Sequence, residues 1–270
     1  MKHVYLSAIA ATLLLGSAGA ALAAPADTAP ADAAQTQPKL ELGTGASYFT
    51  GDYGSSVDTQ MLYAPLTAVL RSPTWHLDAT VPYLSIKGPG NVVGAGGTPI
   101  VVQSSSTAVT TRSGLGDAIL GGAVFLPHGN ASLPFLELAG KVKLPTAETG
   151  LGTGRTDYTT QMNLYQTISP QLTLLASAGY QWLGSSATYR LKDGAVAMAG
   201  FNYKAARTTD LGATFNYGQS VMSGVNAQTT VVPYLAWRPA SHWGLTAYTL
   251  AGLTKASPRF GGGLQLTFYP

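Results

Sequence analysis

The chain contains no cysteine, few charged residues and, beyond its N-terminus, no long apolar run. Without cysteine, neither a disulfide framework nor a thiolate metal site can form. Charged residues make up 10% of the 270 positions, whereas ordinary soluble proteins have roughly 25%. Hydrophobic residues make up 46%, yet after the N-terminus no run reaches the roughly 18 residues of a membrane-spanning helix. The apolar residues alternate with small polar ones, which favours strands over spanning helices.

The charge pattern argues against several partners. The formal net charge is +3, and no basic cluster with interleaved aromatic residues occurs, so we expect no nucleic-acid partner. The glycine-rich segment Leu151–Arg155 has no predicted helix after it, so we interpret it as a loop rather than a phosphate cradle. The sequence shows no cluster of metal ligands either. We therefore expect neither a metal nor a cofactor.

Residues 1–23 have the layout of a secretory signal peptide. Lys2 gives a weak basic start, Leu6–Leu15 an apolar core, and Ala21–Ala23 a cleavage site of small residues. The apolar core is too short for a membrane anchor, and the absence of a following cysteine excludes a lipoprotein. We therefore predict an exported protein.

Residues 24–38 are rich in Ala, Pro, Asp and Gln, which predicts a disordered periplasmic leader. Residues 39–270 then alternate between apolar and polar positions over long segments. From Leu136 to Leu144 the even positions are apolar, whereas the odd positions carry the charged residues. Successive side chains of a strand point to opposite faces, so this segment has one apolar and one charged face. Segments of about 12 to 15 residues are long enough to cross a bilayer as tilted strands.

The whole pattern predicts an all-β fold: a transmembrane, antiparallel, up-and-down β-barrel of about twelve strands in the outer membrane of a Gram-negative bacterium. Short and longer connections alternate along it, as expected for periplasmic turns and external loops. The predicted strands are Leu40–Thr50, Val57–Arg71, Trp75–Lys87, Ser113–Leu126, Ala131–Pro145, Arg155–Ile168, Gln171–Gly184, Ala195–Ala205, Thr208–Gln219, Ala227–Arg238, Trp243–Thr254 and Arg259–Tyr269.

Aromatic residues gather near the predicted strand ends, where a membrane interface selects rings with one polar and one apolar edge. The predicted girdle comprises Trp75, Phe125, Trp182, Trp237, Trp243 and Phe268. A soluble β-sandwich with scattered aromatics is the alternative. The barrel predicts outer-membrane lipid, the outer-membrane insertion machinery and a small solute as partners.

Four short motifs resemble a known family. They are Ser113-Gly114-Leu115-Gly116-Asp117, Lys143-Leu144-Pro145-Thr146, Leu151-Gly152-Thr153-Gly154 with Asp157, and Gly179-Tyr180. Together they resemble the outer-membrane transporter family described as "MetA-pathway of phenol degradation", although Ala147 stands where that family usually has Gly. The resemblance implies a porin-like barrel that takes up aromatic or other hydrophobic compounds, and it brings no catalytic residues.

The predicted turns place charged side chains together in the lumen. If Pro127–Asn130 is a tight turn, Asp117 lies opposite Lys141. If the next loop is centred near residue 149, Lys143 lies opposite Asp157. Such cross-strand pairs of opposite charge stabilise a sheet.

Glu137 is predicted to lie deeper, opposite Gly121 and Asn163, without a cationic partner. The candidate residues of the solute pathway are Asp117, Glu137, Lys141, Lys143, Asp157 and Asn163. They form either a charged constriction that filters solutes or a structural ladder that plugs a narrow barrel. The loop Gly88–Arg112, uncharged between its ends and carrying a Pro-Ile-Val-Val segment, either folds inward or stays on the surface.

An enzymatic function is the remaining question. His128, Asn130 and Ser132 have suggestive spacing for a lipid hydrolase, but they lie in a predicted periplasmic turn, and no G-x-S-x-G motif occurs. We therefore expect no enzyme, but a porin-like channel for passive uptake of small solutes. A structural or surface-interaction barrel without conductance is the alternative. The polar lumen favours polar solutes, whereas the family resemblance favours hydrophobic ones.

Overall fold

The computed structural model describes residues 8–10, 26–28, 37–95, 98–102, 108–127 and 133–270. Two short strands, Ala8–Ala10 and Ala26–Thr28, pair antiparallel near the N-terminus. The signal peptide and the leader lie largely outside the described residues and stay predictions. In the described part of the chain, no helix is long and apolar enough to span a membrane.

Twelve antiparallel strands in the described region close into one barrel, which confirms the predicted fold. Each strand pairs with its neighbours in sequence, and the last strand pairs with the first. The strands are β1 Lys39–Gly51, β2 Thr59–Arg71, β3 Trp75–Gly88, β4 Thr110–Leu115 with Ile119–Leu126, β5 Phe135–Lys143, β6 Asp157–Thr167, β7 Leu172–Trp182, β8 Gly194–Ala206, β9 Thr209–Gly218, β10 Gln228–Ala240, β11 Trp243–Gly252 and β12 Phe260–Phe268.

A β-bulge interrupts β4. Thr80 of β3 pairs with Ile119 of β4, and Tyr83 pairs with Leu115. Three steps along β3 therefore correspond to four steps along β4, so β4 contains one extra residue. Such a bulge re-aims side chains, and here it turns Asp117, which is 1% exposed, toward the interior.

The outer face of the barrel is an apolar belt. Leu66, Leu120 and Leu264, on three different strands, are 67%, 50% and 57% exposed. Backbone polar groups are paired around the closed sheet, as a lipid environment requires. This surface is that of a membrane-spanning barrel.

Five of the six predicted girdle residues occupy the outer face: Trp75, Trp182, Trp237, Trp243 and Phe268. Phe125 does not. It pairs with Glu137, which is completely buried, so both side chains face the lumen. The Phe125 ring lies 5.8 Å from the ring of His76 and 5.3 Å from that of Phe135. The prediction for Phe125 was therefore wrong. Phe125 lies near the periplasmic end of β4, as predicted, but its side chain faces the lumen rather than the lipid.

Large side chains fill much of the barrel interior. The Tyr234 ring lies over Gly212 of the neighbouring strand, where a Cβ would stand 2.3 Å from the ring. The Tyr234 hydroxyl donates a hydrogen bond to Asn202 Oδ1 at 2.9 Å. Tyr248 lies in the same way over Gly263 and donates to Ser47 Oγ. Glycine on one strand thus makes room for a tyrosine on the next, and the lumen is narrow.

Candidate functional site: an inward-folded loop and a charged lumen

The loop between β3 and β4 folds into the barrel mouth, which is one of the two placements left open by the sequence. Within it, Val92–Ala95 pairs with Thr98–Val101. We call residues 91–95 and 98–102 the plug hairpin. Val93 is fully buried and Ile100 is 1% exposed. This segment is uncharged and rich in β-branched residues, so burying its apolar side chains is favourable in free energy. The barrel mouth contains apolar side chains against which they pack.

Apolar contacts hold the plug hairpin against the external loops. Its side chains Val93, Ile100 and Val102 pack in one cluster with residues of the loops after β7 and β9. We call this cluster the apolar seam; it comprises Val93, Ile100, Val102, Leu183, Leu191 and Met222, with Tyr189, Val221 and Val225 at its edge. The other face of the hairpin, Val92 and Val101, packs on Tyr53 and Ala256.

Arg112 is the charged anchor of the hairpin. Its Nη2 donates to the Val92 carbonyl at 3.1 Å, and its Nη1 donates to the Gly150 carbonyl at 2.6 Å. One guanidinium therefore ties the plug to the loop between β5 and β6. Hydrogen bonds from a charged donor are roughly twice as strong as neutral ones, so Arg112 contributes more to docking than a neutral donor would.

Neutral hydrogen bonds complete the docking of the hairpin. They run from Thr59 Oγ1 to Asn91 Oδ1 at 3.2 Å, from Gly94 N to the Leu151 carbonyl at 2.9 Å, and from Gln228 Nε2 to the Pro99 carbonyl at 3.0 Å. These bonds fix the position of the hairpin against β2, the loop after β5 and the start of β10.

Tyr53 braces the hairpin from the loop after β1. It has a left-handed backbone, with φ of 50°, and is 3% exposed. Its hydroxyl has no hydrogen-bond partner among the described residues. Burial, together with the nearby Asp52 carboxylate, raises the pKa of the Tyr53 phenol. The phenol therefore stays neutral and packs as an apolar group.

Lys143 is the centre of a buried charge cluster at the external ends of β5 and β6. Its Nζ lies 2.8 Å from Asp117 Oδ2 and 3.1 Å from Asp157 Oδ2. It also donates to Thr153 Oγ1 and to the Arg155 carbonyl, each at 2.9 Å. The ammonium is thus surrounded by four oxygen atoms, as a buried charge requires.

The two aspartates of this cluster also hold loop backbone. Asp117 Oδ1 accepts a hydrogen bond from Ala147 N at 3.0 Å, and Asp157 Oδ1 accepts one from Gly184 N at 2.8 Å. A Cβ at Gly152 would stand 2.6 Å from Asp117 Oδ2. The cluster therefore fastens the external loops after β5 and β7 to the barrel.

The predicted register was right between β5 and β6 and wrong between β4 and β5. Lys143 pairs with Asp157, and Glu137 pairs with Asn163. Lys141, however, pairs with Gly121 rather than with Asp117. β4 ends at Leu126 and β5 begins at Phe135, and Leu126 pairs with Leu136. Asp117 consequently reaches Lys143.

Glu137 and Lys141 lie deeper, in the periplasmic half. Asn163 Nδ2 donates to Glu137 Oε1 at 2.6 Å, while Glu137 Oε2 has no hydrogen-bond partner among the described residues. Asp78 also pairs with Gly121, and its carboxylate covers that glycine. Lys141 is close enough to Asp78 and Glu137 to interact electrostatically with both.

A cavity of about 80 Å³ opens beside these residues, and we call it the chamber. Its polar side chains include those of Arg71, His76, Asp78 and Lys141. Arg71 Nε donates to Glu41 Oε1 at 2.9 Å, and His76 Nε2 lies 3.7 Å from Asp78 Oδ1. Other lining residues are Gly43, Thr44, Pro65, Thr67, Val69, Thr80, Gln265, Leu266 and Thr267. Sequence reasoning missed this site, because its residues come from strands far apart in the chain.

The residues considered for hydrolysis do not form a described site. His128, Asn130 and Ser132 lie outside the described residues. His76 lies in the chamber, whereas His242 lies at the periplasmic edge, with its Nδ1 2.7 Å from the Tyr269 carbonyl. Among the described residues, no group of three or more potential ligands is placed to hold a metal ion.

The sequence matches a family described as "Putative MetA-pathway of phenol degradation" over residues 27–269. The chain belongs to this family. Its motifs can now be located: Ser113–Asp117 forms the bulge of β4, and Lys143 and Asp157 complete the charge cluster. In this member of the phenol-degradation family, residues from three of the four motifs therefore meet around one buried ammonium.

Solved outer-membrane proteins share the fold of this phenol-degradation family member. The COG4313 outer membrane channel from Pseudomonas putida F1 has 13% sequence identity and a TM-score of 0.69, covering 87% of this chain and 96% of its own. The KdgM porin, in complex with disordered oligogalacturonate, has 9% identity and a TM-score of 0.54, covering 85% and 99%.

The translocator domain of the autotransporter NalP from Neisseria meningitidis has 13% identity and a TM-score of 0.51, covering 88% of this chain and 90% of its own. None of the curated proteins matches the sequence. At these identities the likeness concerns the fold alone. Together with the apolar belt, it places this family member in the outer membrane of a Gram-negative bacterium.

Proposed function

We propose that this protein is a channel through which small solutes cross the outer membrane passively, and that the plug hairpin is its gate. The observation that carries the proposal is the placement of the plug hairpin, buried in the barrel mouth by apolar contacts and few hydrogen bonds. An occluding element that is held in this way can be released without breaking the hydrogen bonds between the strands of the barrel.

The chamber supports the same proposal. A purely structural barrel has no need of a cavity with the charged side chains of Arg71, Asp78 and Lys141 in its wall. A twelve-stranded barrel lies between the small barrels filled by side chains and the wide porins. We therefore infer a narrow pathway from the plug to the chamber. Passage needs no energy coupling or catalysis, and the barrel would be inserted by the outer-membrane insertion machinery.

The packed interior favours a second candidate, a structural or surface-interaction barrel without conductance. Side chains such as Tyr63 and Leu84 are only 1% exposed inside the barrel. That candidate predicts no ion current in any variant, whereas the channel predicts a current that depends on the plug.

Arg112→Gln is expected to increase the open fraction of single channels in planar bilayers. The substitution removes the charged donor to the Val92 and Gly150 carbonyls. Charged hydrogen bonds of this kind contribute about 1.5–3 kcal/mol, so the open fraction should rise by roughly tenfold or more.

The exposed Arg155 provides the matched control, since Arg155→Gln removes the same charge from the same end of the barrel. Folding of both variants is checked by heat-modifiable gel migration. An equal open fraction for Arg112→Gln, Arg155→Gln and the natural chain would argue against the plug as the gate.

A further inference from the structure

One wall of the lumen, formed by β9 to β12, is almost free of charge. In these four strands, which the structure describes in full, the only charged residues are Asp210 and Arg238, near the periplasmic ends of β9 and β10. The buried polar side chains of this wall are all uncharged. We call them the polar track, and they are Thr214, Asn216, Thr230, Thr246 and Gln265.

The polar track begins directly beneath the plug hairpin. Thr230 follows Gln228 by two residues on β10, so the two side chains face the lumen one below the other. Gln228 Nε2 donates to the Pro99 carbonyl of the plug hairpin. Asn216 pairs with Thr230 across β9 and β10. A solute that enters after the plug hairpin is released therefore passes Asn216 and Thr230.

Three atoms of the polar track have no hydrogen-bond partner among the described residues: Asn216 Oδ1, Thr230 Oγ1 and Thr246 Oγ1. The Asn216 amide is held in place, because its Nδ2 donates to Thr214 Oγ1 at 3.0 Å. Buried polar groups are nearly always paired in folded proteins, and neighbouring side chains do not supply the partner here. The track thus presents one acceptor and two hydroxyls that can donate or accept.

The polar track continues to the chamber, since Thr246 pairs with Gln265 across β11 and β12, and Gln265 lines the chamber. We infer that the track binds an uncharged solute with several hydroxyl groups, such as a polyol, between the plug hairpin and the chamber. A hydroxyl group both donates and accepts, so it can pair with the amide oxygen and with the threonine hydroxyls in turn. This inference rests on the proposed function and specifies its substrate class.

Charged and apolar solutes fit the polar track less well. A charged solute would lose hydration there without an ion pair in return, and two cations elsewhere in the lumen are already engaged. Lys143 binds Asp117 and Asp157. Arg71 binds Glu41. An apolar solute would leave the three polar atoms of the track unpaired.

The test measures how three probes interrupt the single-channel ion current in planar bilayers. Xylitol carries a hydroxyl group on every carbon, xylonate has a carboxylate in place of one terminal hydroxymethyl group, and benzoate has a carboxylate on an apolar ring. Xylitol is expected to block at a concentration about fivefold lower than either of the other two, which is the factor that one neutral hydrogen bond gives.

Thr230→Val tests the polar track itself, since it removes the hydroxyl and keeps the volume. It should raise the xylitol concentration for half-block about fivefold, whereas Thr230→Ser should keep the block of the natural chain. Thr249→Val, at an exposed position on the lipid-facing side of β11, is the matched control and should change nothing.

Unfolding in urea separates solute binding from structure. Thr230 Oγ1 has no partner in the described part of the chain, so Thr230→Val removes no hydrogen bond within the protein and should unfold no earlier than the natural chain. A structural role of the hydroxyl would instead lower the urea midpoint.

An unchanged xylitol block in Thr230→Val would overturn the inference while leaving the channel intact. Equal or stronger block of the natural chain by xylonate or benzoate would do the same. A complete absence of current in folded protein, with or without the plug hairpin, would overturn the proposed function and the substrate class with it.

Discussion

Replacing residues 89–109 by a four-residue turn is expected to convert a mostly closed barrel into one with steady, larger conductance steps. Gly88 and Thr110 are paired directly across β3 and β4, so a short hairpin turn can join them without disturbing the wall. The deletion removes the buried side chains Val92, Val93 and Ile100 from the mouth. Single-channel recording in planar bilayers measures the change.

Val109→Ala provides the control within the same loop, because Val109 is 48% exposed and lies outside the plug hairpin. It should leave conductance unchanged. If the deletion variant folds, as judged by heat-modifiable migration, yet conducts no more than the natural chain, the plug hairpin does not limit the pathway.

Lys143→Met is expected to cause the largest loss of stability, about 3–5 kcal/mol. The side chains of Lys143, Asp117 and Asp157 are 6%, 0% and 5% exposed. Removing the cation leaves two buried carboxylates facing each other, since they both bind the same ammonium. Equilibrium unfolding in urea with refolded protein in lipid vesicles measures the loss, and the external loops should become sensitive to protease.

The matched control is Lys192→Met, at an exposed position in the loop after β7, which should lie within about 0.5 kcal/mol of the natural chain. Adding Asp117→Asn and Asp157→Asn to Lys143→Met should recover part of the stability, because these three positions then carry no buried charge. A Lys143→Met variant as stable as the Lys192→Met variant would show that the cluster does not fasten the loops.

The alternating pattern was sufficient to predict the twelve strands, because every strand has lipid on one face and the lumen on the other. The pairing of Lys143 with Asp157 was also predictable, since the loop between β5 and β6 is centred as expected. The partner of Asp117 was not, although its lumenal face was. The register between β4 and β5 depends on the connection after Leu126, and Lys141 pairs with Gly121, four residues from the predicted Asp117.

The plug and the chamber are harder to predict for a different reason. Val93 packs in one cluster with Leu183 and Met222, which are distant in sequence, and the chamber joins residues of β1, β2, β3, β5 and β12. Such contacts depend on the curvature and closure of the barrel, which alternation does not specify.

A reversible covalent lock on the plug hairpin tests the gate most directly. Leu84 on β3 has a methyl carbon 2.5 Å from where a Cβ at Gly94 would stand, so the two positions face each other. Leu84→Cys with Gly94→Cys is therefore the pair chosen for a disulfide, and its formation is checked by titration of free thiols. The chain has no other cysteine, and therefore no other disulfide can form. We expect the oxidised double variant to carry no current in planar bilayers, and openings to return when a reductant is added to the same membrane. An oxidised variant that conducts as the reduced one does would contradict the account.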